Sequence, residues 1–336
     1  MALNKKSLLN RVWIGLVIFI VMIGMILLNI FFPNYINQPD TFISGRAINS
    51  VLIYALILLS VIEMRRALGK ERIPDSFSWL LWLYGFGVGP SYSLFGYTGI
   101  IFFSLMLFIC AVVTALIRNR VDTLMYIAYM LIYPGLLMAS LLYLNRAAAS
   151  HVYTESSAMY QYLENDIWYY LSNQRTTYLL PLNAIALALV FAVSTFTDVF
   201  AYFVGSLFGK HHLCKNISPN KTVEGAIGGV IGGILGSTIV FLIFDLSHLF
   251  GYGAHYGLMF EGLGLANWQV ALVYIIVGIL GSIATQLGDL LASLVKRFCA
   301  IKDYSRVLGE HGGIMDRFDG IMLNAVLVSF VFMFIL

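Results

Sequence analysis

Residues 268–319 read WQVALVYIIVGILGSIATQLGDLLASLVKRFCAIKDYSRVLGEHGGIMDRFD, and they divide into two parts of opposite character. The first part, 268–291, is an apolar run of the length that crosses a lipid bilayer as an α-helix. The second part, 293–319, gathers acids, bases, a histidine and several glycines in a chain that is otherwise mostly hydrocarbon. This arrangement predicts a membrane helix that ends in a functional site.

The composition places the whole chain in the membrane. Of its 336 residues, 60% are hydrophobic and only 11% are charged, which is too apolar for a soluble protein. We therefore expect an all-α fold, a polytopic helical bundle embedded in lipid. The formal net charge of +3 is small and gives no indication of a nucleic-acid partner.

Apolar runs of about 20 residues, the length that spans a bilayer, occur along the entire chain. They cover residues 11–32, 47–64, 97–117, 122–144, 178–203, 224–245, 268–291 and 318–336. A shorter aromatic run at 77–95 is interrupted by Gly85, Gly87, Gly89 and Pro90. Counting this run predicts about nine transmembrane helices.

The basic residues favour the count of nine. If the N-terminus is cytoplasmic, every Lys and Arg except Arg46, Arg146 and Arg175 falls on the cytoplasmic side, as basic loops usually do. The functional site is then cytoplasmic and the C-terminus lies outside the cell membrane. We predict two regions, 1–177 with about five helices and a polar outer loop from 145 to 177, and a catalytic region at 178–336.

The spacing of the acids predicts a metal and phosphate site. If the last helix begins near Asp316, then Asp316 and Asp319 lie on one face and are close enough to share a cation. Asp198 and Asp289 fall near the same end of their own spans. The bases that flank Asp316 and Asp319 are too many for these two carboxylates alone, and they suit phosphate. They are Lys296, Arg297, Lys302, Arg306 and Arg317.

Glycines recur at every fourth position between Gly225 and Gly236. We interpret them as small residues that let helices pack closely, and such a helix could also form a homodimer interface. A glycine-rich phosphate loop is disfavoured because no strand is predicted before it. The preceding SPNKT stretch, Ser218 to Thr222, can cap the next helix, with Glu224 in its first turn.

The polar segment has the form S-x-x-K-R-x4-K-D-x-S-x2-L-G-x-H-G-G-I-x-D-R-F-D and resembles the signature of the phosphatidate cytidylyltransferases, or CDP-diacylglycerol synthases. The resemblance extends upstream through TD-x-x-AY-x-x-G-x3-GK at 197–210, ISPNKT-x-EG at 217–225 and GDL at 288–290. It covers roughly residues 195–320, whereas the first half of the chain matches only in being hydrophobic. The sequence departs from the family pattern at Ala292, Glu310 and Gly320.

The resemblance implies transfer of CMP from CTP to phosphatidic acid, which yields CDP-diacylglycerol and pyrophosphate for phospholipid biosynthesis. It implies one or two Mg²⁺ ions held by Asp289 and Asp316 with help from Asp319, and a catalytic role for Lys221. CTP would arrive from the cytosol and the lipid from the membrane. The implied substrate-binding residues are Ser218, Thr222, Lys210, Lys296, Arg297, Lys302, His311 and Arg317.

Other interpretations remain open. The lipid substrate could be another lipid phosphate, such as an ether lipid. The acids could pair with Lys210, Lys221 or Arg317 as structural ion pairs. An ion-coupled transporter would also carry acids within membrane helices, but we would expect its polar residues near the midplane and an internal repeat, whereas here the acids gather at one end.

Overall fold

The computed structural model describes residues 5–31, 45–146, 182–246, 266–309 and 312–335. His311, nearly all of the polar outer loop and the predicted region boundary at 177 lie outside these residues. The described residues form nine α-helices, in agreement with the predicted all-α class. They are α1 Lys5–Phe31, α2 Gly45–Arg72, α3 Ser78–Arg118, α4 Thr123–Met130, α5 Leu137–Arg146, α6 Leu182–Phe208, α7 Val223–Phe241, α8 Asn267–Phe298 and α9 Met315–Ile335.

Two short π-helical turns modify these helices. Leu131–Leu136 joins α4 to α5 around Pro134, whose missing N–H cannot continue the helical ladder, and Leu242–Leu246 extends α7. Six of the helical segments are long and apolar enough to cross a membrane, so the chain is a multi-pass membrane protein. These segments are Arg46–Arg72, Thr98–Arg118, Thr123–Asn145, Leu182–Phe208, Val223–Phe244 and Trp268–Phe298.

Helix α3 is a hairpin of two antiparallel arms. Gly96 has φ 64° and ψ −151°, outside the helical region, in a conformation that glycine adopts at little cost. Contacts between the two arms show that the chain reverses there. The rings of Tyr84 and Phe103 stack with centroids 6.3 Å apart, and a Cβ on Gly87 would overlap the Phe103 ring. The interrupted run at 77–95 is therefore a separate helical arm, as the count of nine requires.

Polar contacts show which helix ends lie together at each of the two ends of the bundle. At one end, Asn145 accepts a hydrogen bond from Asn29 (3.1 Å) and donates to Ser50 (3.0 Å), while Asn183 donates to the Asn145 carbonyl (3.3 Å). At the other end, Arg120 donates to the carbonyl of Glu71 (2.9 Å), Arg72 to that of Phe298 (3.3 Å), and Arg297 to that of Ile217 (3.2 Å). The loops predicted to share the basic side of the membrane thus lie at one end of the bundle.

A small β-hairpin precedes α7, which the sequence analysis did not predict. His212–Cys214 (β1) pairs antiparallel with Ser218–Thr222 (β2). The expectation that no strand precedes the glycine-rich helix was therefore wrong. A strand of five residues that contains Pro219 and charged or polar neighbours lacks the apolar alternation by which strands are recognised in sequence.

The glycines of α7 nevertheless act in helix packing. A Cβ on Gly232 would overlap the Phe196 carbonyl of α6, one on Gly236 would approach the Ala192 carbonyl (2.8 Å), and one on Gly233 would meet the Gly278 carbonyl of α8 (2.6 Å). Because this face is already covered by helices of the same chain, it is not available for the homodimer interface that the sequence suggested.

Candidate active site

A cavity of about 480 Å³ opens at the basic end of the bundle, between α6, the β-hairpin, α7 and α8. Its volume lies in the range of about 300–1,000 Å³ that is usual for small-molecule sites. The polar and charged side chains that line it come from α6, the β-hairpin and α8, while α7 contributes Gly225 and Ala226. The polar lining residues are Asp198, Tyr202, Ser206, Asn220, Lys221, Thr222, Gln286 and Asp289.

The step from β2 into α7 places Lys221 and Thr222 at the cavity. Thr222 has an extended backbone, and its hydroxyl accepts a hydrogen bond from Gly225 N–H (3.1 Å), so it is the N-cap of α7. This confirms the predicted cap. The site therefore includes a helix N-terminus, whose dipole favours anions, although the N–H groups of Val223 and Gly225 are already bonded to the His211 carbonyl and the Thr222 hydroxyl.

Glu224, in the first turn of α7, fixes the end of α6. Its Oε2 accepts hydrogen bonds from the backbone N–H of Lys210 (3.1 Å) and of His211 (3.2 Å). Its Oε1 lies 2.6 Å from Nδ1 of His211. The Lys210 backbone is thereby anchored while its side chain stays exposed, free to reach a ligand at the cavity edge.

Asp289 is held near the end of α8 beside the cavity. Its Oδ2 lies 2.5 Å from Lys221 Nζ, and the side chains are 36% and 26% exposed, respectively. One turn earlier, Gln286 donates to the Ala226 carbonyl of α7 (3.2 Å). Asp198 of α6 faces the same cavity. The two carboxylates outnumber Lys221, the only basic residue among the described residues that line the cavity.

Asp316 does not line this cavity. Its Oδ1 lies 2.9 Å from Lys296 Nζ, and its Oδ2 accepts hydrogen bonds from the backbone N–H of Tyr304 and of Gly313, both at 2.9 Å. The Asp316 side chain is only 5% exposed. The polar segment between α8 and α9, residues 299–314 and here called the signature loop, is thus folded around this carboxylate.

Tyr304 closes the signature loop against α8. Its hydroxyl donates to the Ala292 carbonyl (3.1 Å), and Lys296 Nζ lies 5.6 Å from the centre of its ring. Burial raises the pKa of Tyr304 above its ordinary value, so the hydroxyl stays protonated and keeps this hydrogen bond at physiological pH.

A carboxylate of the N-terminal half, Glu63 of α2, also reaches the signature loop. It is 1% exposed and accepts hydrogen bonds from Ser305 Oγ (2.5 Å), Ile314 N (3.0 Å) and Met315 N (2.9 Å). The sequence analysis did not select Glu63. The signal was available, because an acid within an apolar span is itself an indication of function.

The predicted acids occupy different positions. The start of α9 at Met315 confirms the helix start predicted near Asp316. Asp319 is 9% exposed, and its carbonyl lies where a Cβ on Gly288 would be, so α9 packs tightly beside Asp289. Among the described residues, no three Asp, Glu, His or Cys side chains converge as a metal cluster. The metal set Asp289, Asp316 and Asp319 stays a prediction.

Other predicted residues do not line the cavity. Ser218 is half-buried on β2, and the side chains of Arg297, Lys302 and Arg317 are exposed. Polar lining residues that the predicted set lacked are Asp198, Tyr202, Ser206, Asn220 and Gln286. Asp198 was recognised only as an acid at the right end of its span.

Two departures from the family pattern have structural reasons. Gly320 lies against α8, where a Cβ would meet the Thr285 carbonyl at 2.9 Å, so a larger residue would push α9 away. Ala292 is fully buried beneath Tyr304, whose hydroxyl bonds to its carbonyl. Glu310 lies outside the described residues.

The cavity has the donor chemistry that a divalent cation requires. Mg²⁺ binds oxygen ligands and usually takes one or two carboxylates together with substrate phosphates and water. Asp198 and Asp289 supply two carboxylates to one cavity. Asp316 is less suited, because its two oxygens already accept hydrogen bonds from Lys296, Tyr304 and Gly313.

Comparison with known proteins gives results that agree with this geometry. A model described as "Cytidylyltransferase family" matches residues 9–335. Curated phosphatidate cytidylyltransferases from Staphylococcus haemolyticus (strain JCSC1435), Staphylococcus saprophyticus and Staphylococcus aureus (strain COL) are 42%, 39% and 37% identical over 144 residues. Each match covers 41% of this chain and 47% of the relative. The chain thus spans about half the length of the curated relatives that it matches.

Proposed function

This chain belongs to the cytidylyltransferase family, and we propose that it transfers CMP from CTP to phosphatidic acid, giving CDP-diacylglycerol and pyrophosphate. The observation that carries the proposal is the cavity at the end of the bundle, where the Lys221–Asp289 pair, Asp198 and the N-terminus of α7 meet. The relatives named as phosphatidate cytidylyltransferases support the choice of substrates.

The reaction needs alignment and charge neutralisation more than covalent help from the protein. An oxygen of the lipid phosphate attacks the α-phosphorus of CTP and forms a new P–O bond. The bond from the α-phosphorus to the oxygen that bridges to the β-phosphate breaks, and pyrophosphate leaves with the bonding electrons. Holding the two phosphates in line lowers the entropic cost of their encounter.

The cavity residues divide this task. Lys221 binds phosphate oxygens with support from the positive end of the α7 dipole, and the Asn220 amide and Thr222 hydroxyl add hydrogen bonds at the same wall. Asp289 and Asp198 would hold Mg²⁺, which would neutralise phosphate charge and help the leaving group depart. Asp289 also orients the Lys221 amine, 2.5 Å away.

The basic residues around the cavity bind the remaining phosphate charge. Lys210, Arg297, Lys302 and Arg317 are exposed at this end of the bundle, where Arg suits bidentate contact with phosphate. Their role is to attract and hold CTP. Asp316 and Lys296 have an indirect role, because their ion pair holds the signature loop in place.

The lipid reaches the cavity from the membrane. Tyr202 lines the cavity and is 71% exposed, and Phe203 and Leu207 beside it on α6 are also exposed. This apolar surface allows the acyl chains to remain in the bilayer while the phosphate enters the polar site. The basic residues at the same end favour a cytoplasmic orientation for the N-terminus and the site, with the C-terminus outside.

The proposal is tested with the purified full-length chain in detergent, supplied with CTP and phosphatidic acid. We expect equal amounts of CDP-lipid and pyrophosphate, lost on chelation and restored by Mg²⁺. Phosphatidic acid and an ether-lipid phosphate are compared in parallel at equal surface concentration. Folded protein that forms no CDP-lipid from either would contradict the proposed function, whereas turnover of the ether lipid alone would correct the substrate.

A further inference from the structure

The Glu63 carboxylate is buried, and none of its partners among the described residues is basic. Its three donors, Ser305 Oγ, Ile314 N–H and Met315 N–H, are all neutral, and no lysine or arginine bonds to it within the described residues. Burying an ionised carboxylate is costly unless hydrogen bonds compensate. An apolar side chain at this point of α2 would avoid that cost, so the acid must serve a purpose that the apolar side chain could not.

The three hydrogen bonds fix the beginning of α9. The first N–H groups of a helix have no partner within the helix, and a negative charge there is favoured by the helix dipole. Glu63 accepts from Met315 N–H and from the residue before it. Asp316 follows directly in sequence, so its backbone position depends on this cap.

The signature loop is shaped to receive Glu63. A Cβ on Gly313 would overlap the Glu63 carboxylate, so the close approach requires a glycine. Ser305 gives its hydroxyl to the same carboxylate. The contact with Glu63 of α2 therefore accounts for the serine and the glycine at these two positions of the signature.

We infer that Glu63 is a positioning residue, which ties α2 to the signature loop and sets the place of α9 beside the Lys221–Asp289 cavity. The catalytic part of this inference rests on the proposed function. The N-terminal half of the chain carries none of the signature, but through Glu63 it helps to position the signature loop and α9 at the active site.

The first test is Glu63→Gln in the full-length protein. The amide keeps the size of the side chain, but its NH₂ group cannot accept the hydrogen bond from one of the two backbone N–H groups. We expect kcat to fall at least tenfold while KM for CTP changes less than threefold, because Glu63 does not line the cavity. The control is Asn49→Ala, on the same helix and equally buried, whose side chain bonds to Met25 and Asn29 at the other end.

Asn49→Ala should lower thermal stability at least as much as Glu63→Gln and leave kcat within twofold of wild type. If Glu63→Gln keeps wild-type kcat, or if both variants lose activity in proportion to their stability, Glu63 is only a structural residue and the inference is wrong.

A rescue experiment tests the contact itself. Gly313→Ala should reduce kcat by about a hundredfold because the new Cβ overlaps the carboxylate. Glu63→Asp shortens the side chain by one methylene. Adding it to Gly313→Ala should raise kcat at least tenfold above that of Gly313→Ala alone. If the double variant is as inactive as the product of the single losses predicts, the two residues do not act together and the inference is refuted.

Hydrogen exchange separates this inference from the proposed function, since it needs no turnover. Peptides from 299–315 should exchange at least tenfold faster in Glu63→Gln than in wild type, and remain unchanged in Asn49→Ala. An inactive wild-type protein with this exchange pattern would refute the cytidylyl transfer and retain the positioning role. An active wild type with identical exchange in all three proteins would support cytidylyl transfer and refute the positioning role of Glu63.

Discussion

Replacing Lys296 by methionine should destabilise the protein by about 3 kcal/mol. The Lys296 and Asp316 side chains are 15% and 5% exposed, and their charged atoms lie 2.9 Å apart. Removing one partner of a buried pair leaves an uncompensated charge and costs about 3–5 kcal/mol. The lower end applies here, because Asp316 keeps the hydrogen bonds from Tyr304 and Gly313.

The assay is reversible unfolding in mixed detergent micelles, with Lys302→Met as the matched control. Lys302 is on the same loop but exposed, so its replacement should change the free energy of unfolding by less than about 0.5 kcal/mol. Adding Asp316→Asn to Lys296→Met should recover part of the loss, since the buried charge is removed while the amide oxygen can still accept from the Tyr304 and Gly313 N–H groups. A Lys296→Met protein as stable as Lys302→Met would refute the buried ion pair.

Three further predictions concern the cavity and the bundle. Asp289→Asn should lower kcat at least a hundredfold with the protein still folded, measured as CDP-lipid formation, and retained activity would remove Asp289 from the metal site. Lys221→Met should raise KM for CTP at least tenfold, since a phosphate contact is lost; an unchanged KM would contradict this role. Gly232→Ala should cost about 1–3 kcal/mol in unfolding experiments, because its Cβ would overlap the Phe196 carbonyl, whereas Gly24→Ala, with open space around it, should be neutral.

The membrane helices could be predicted from the sequence because each apolar run is long and continuous. The run at 268–291 lies within Trp268–Phe298, and the last helix begins at Met315, next to the predicted Asp316. Even the interrupted run at 77–95 was located correctly. The count of nine requires the chain to reverse between 95 and 97, and the structure places that reversal at Gly96.

The arrangement of the acids could not be predicted from spacing alone. Asp316 and Asp319 are three positions apart on α9, as expected, but Asp316 is drawn to Lys296 and to loop N–H groups. These partners depend on how the signature loop folds back over α8. The role of Glu63 could not be predicted either. It depends on the packing of α2 against the signature loop, and Ser305 of that loop is 242 positions further along the chain.

The β-hairpin before α7 was missed because its strands are short and polar. Ser218–Thr222 pairs with the three-residue strand His212–Cys214, and its position is determined by Thr222 as the cap of α7 and by Glu224 holding the turn at Lys210. Such local hydrogen bonds leave little trace in the pattern of apolar residues, although they place Lys221 at the cavity.

Following two labels from CTP distinguishes CMP transfer to a lipid phosphate from any other reaction at this cavity. The full-length protein is incubated with phosphatidic acid, Mg²⁺ and CTP labelled at the α- or at the γ-phosphate. We predict that the α-label enters the lipid and the γ-label appears in pyrophosphate in equal amounts, and that Asp289→Asn abolishes both. Transfer of the γ-label to the lipid would refute CMP transfer, and full transfer by Asp289→Asn would refute the role of this cavity.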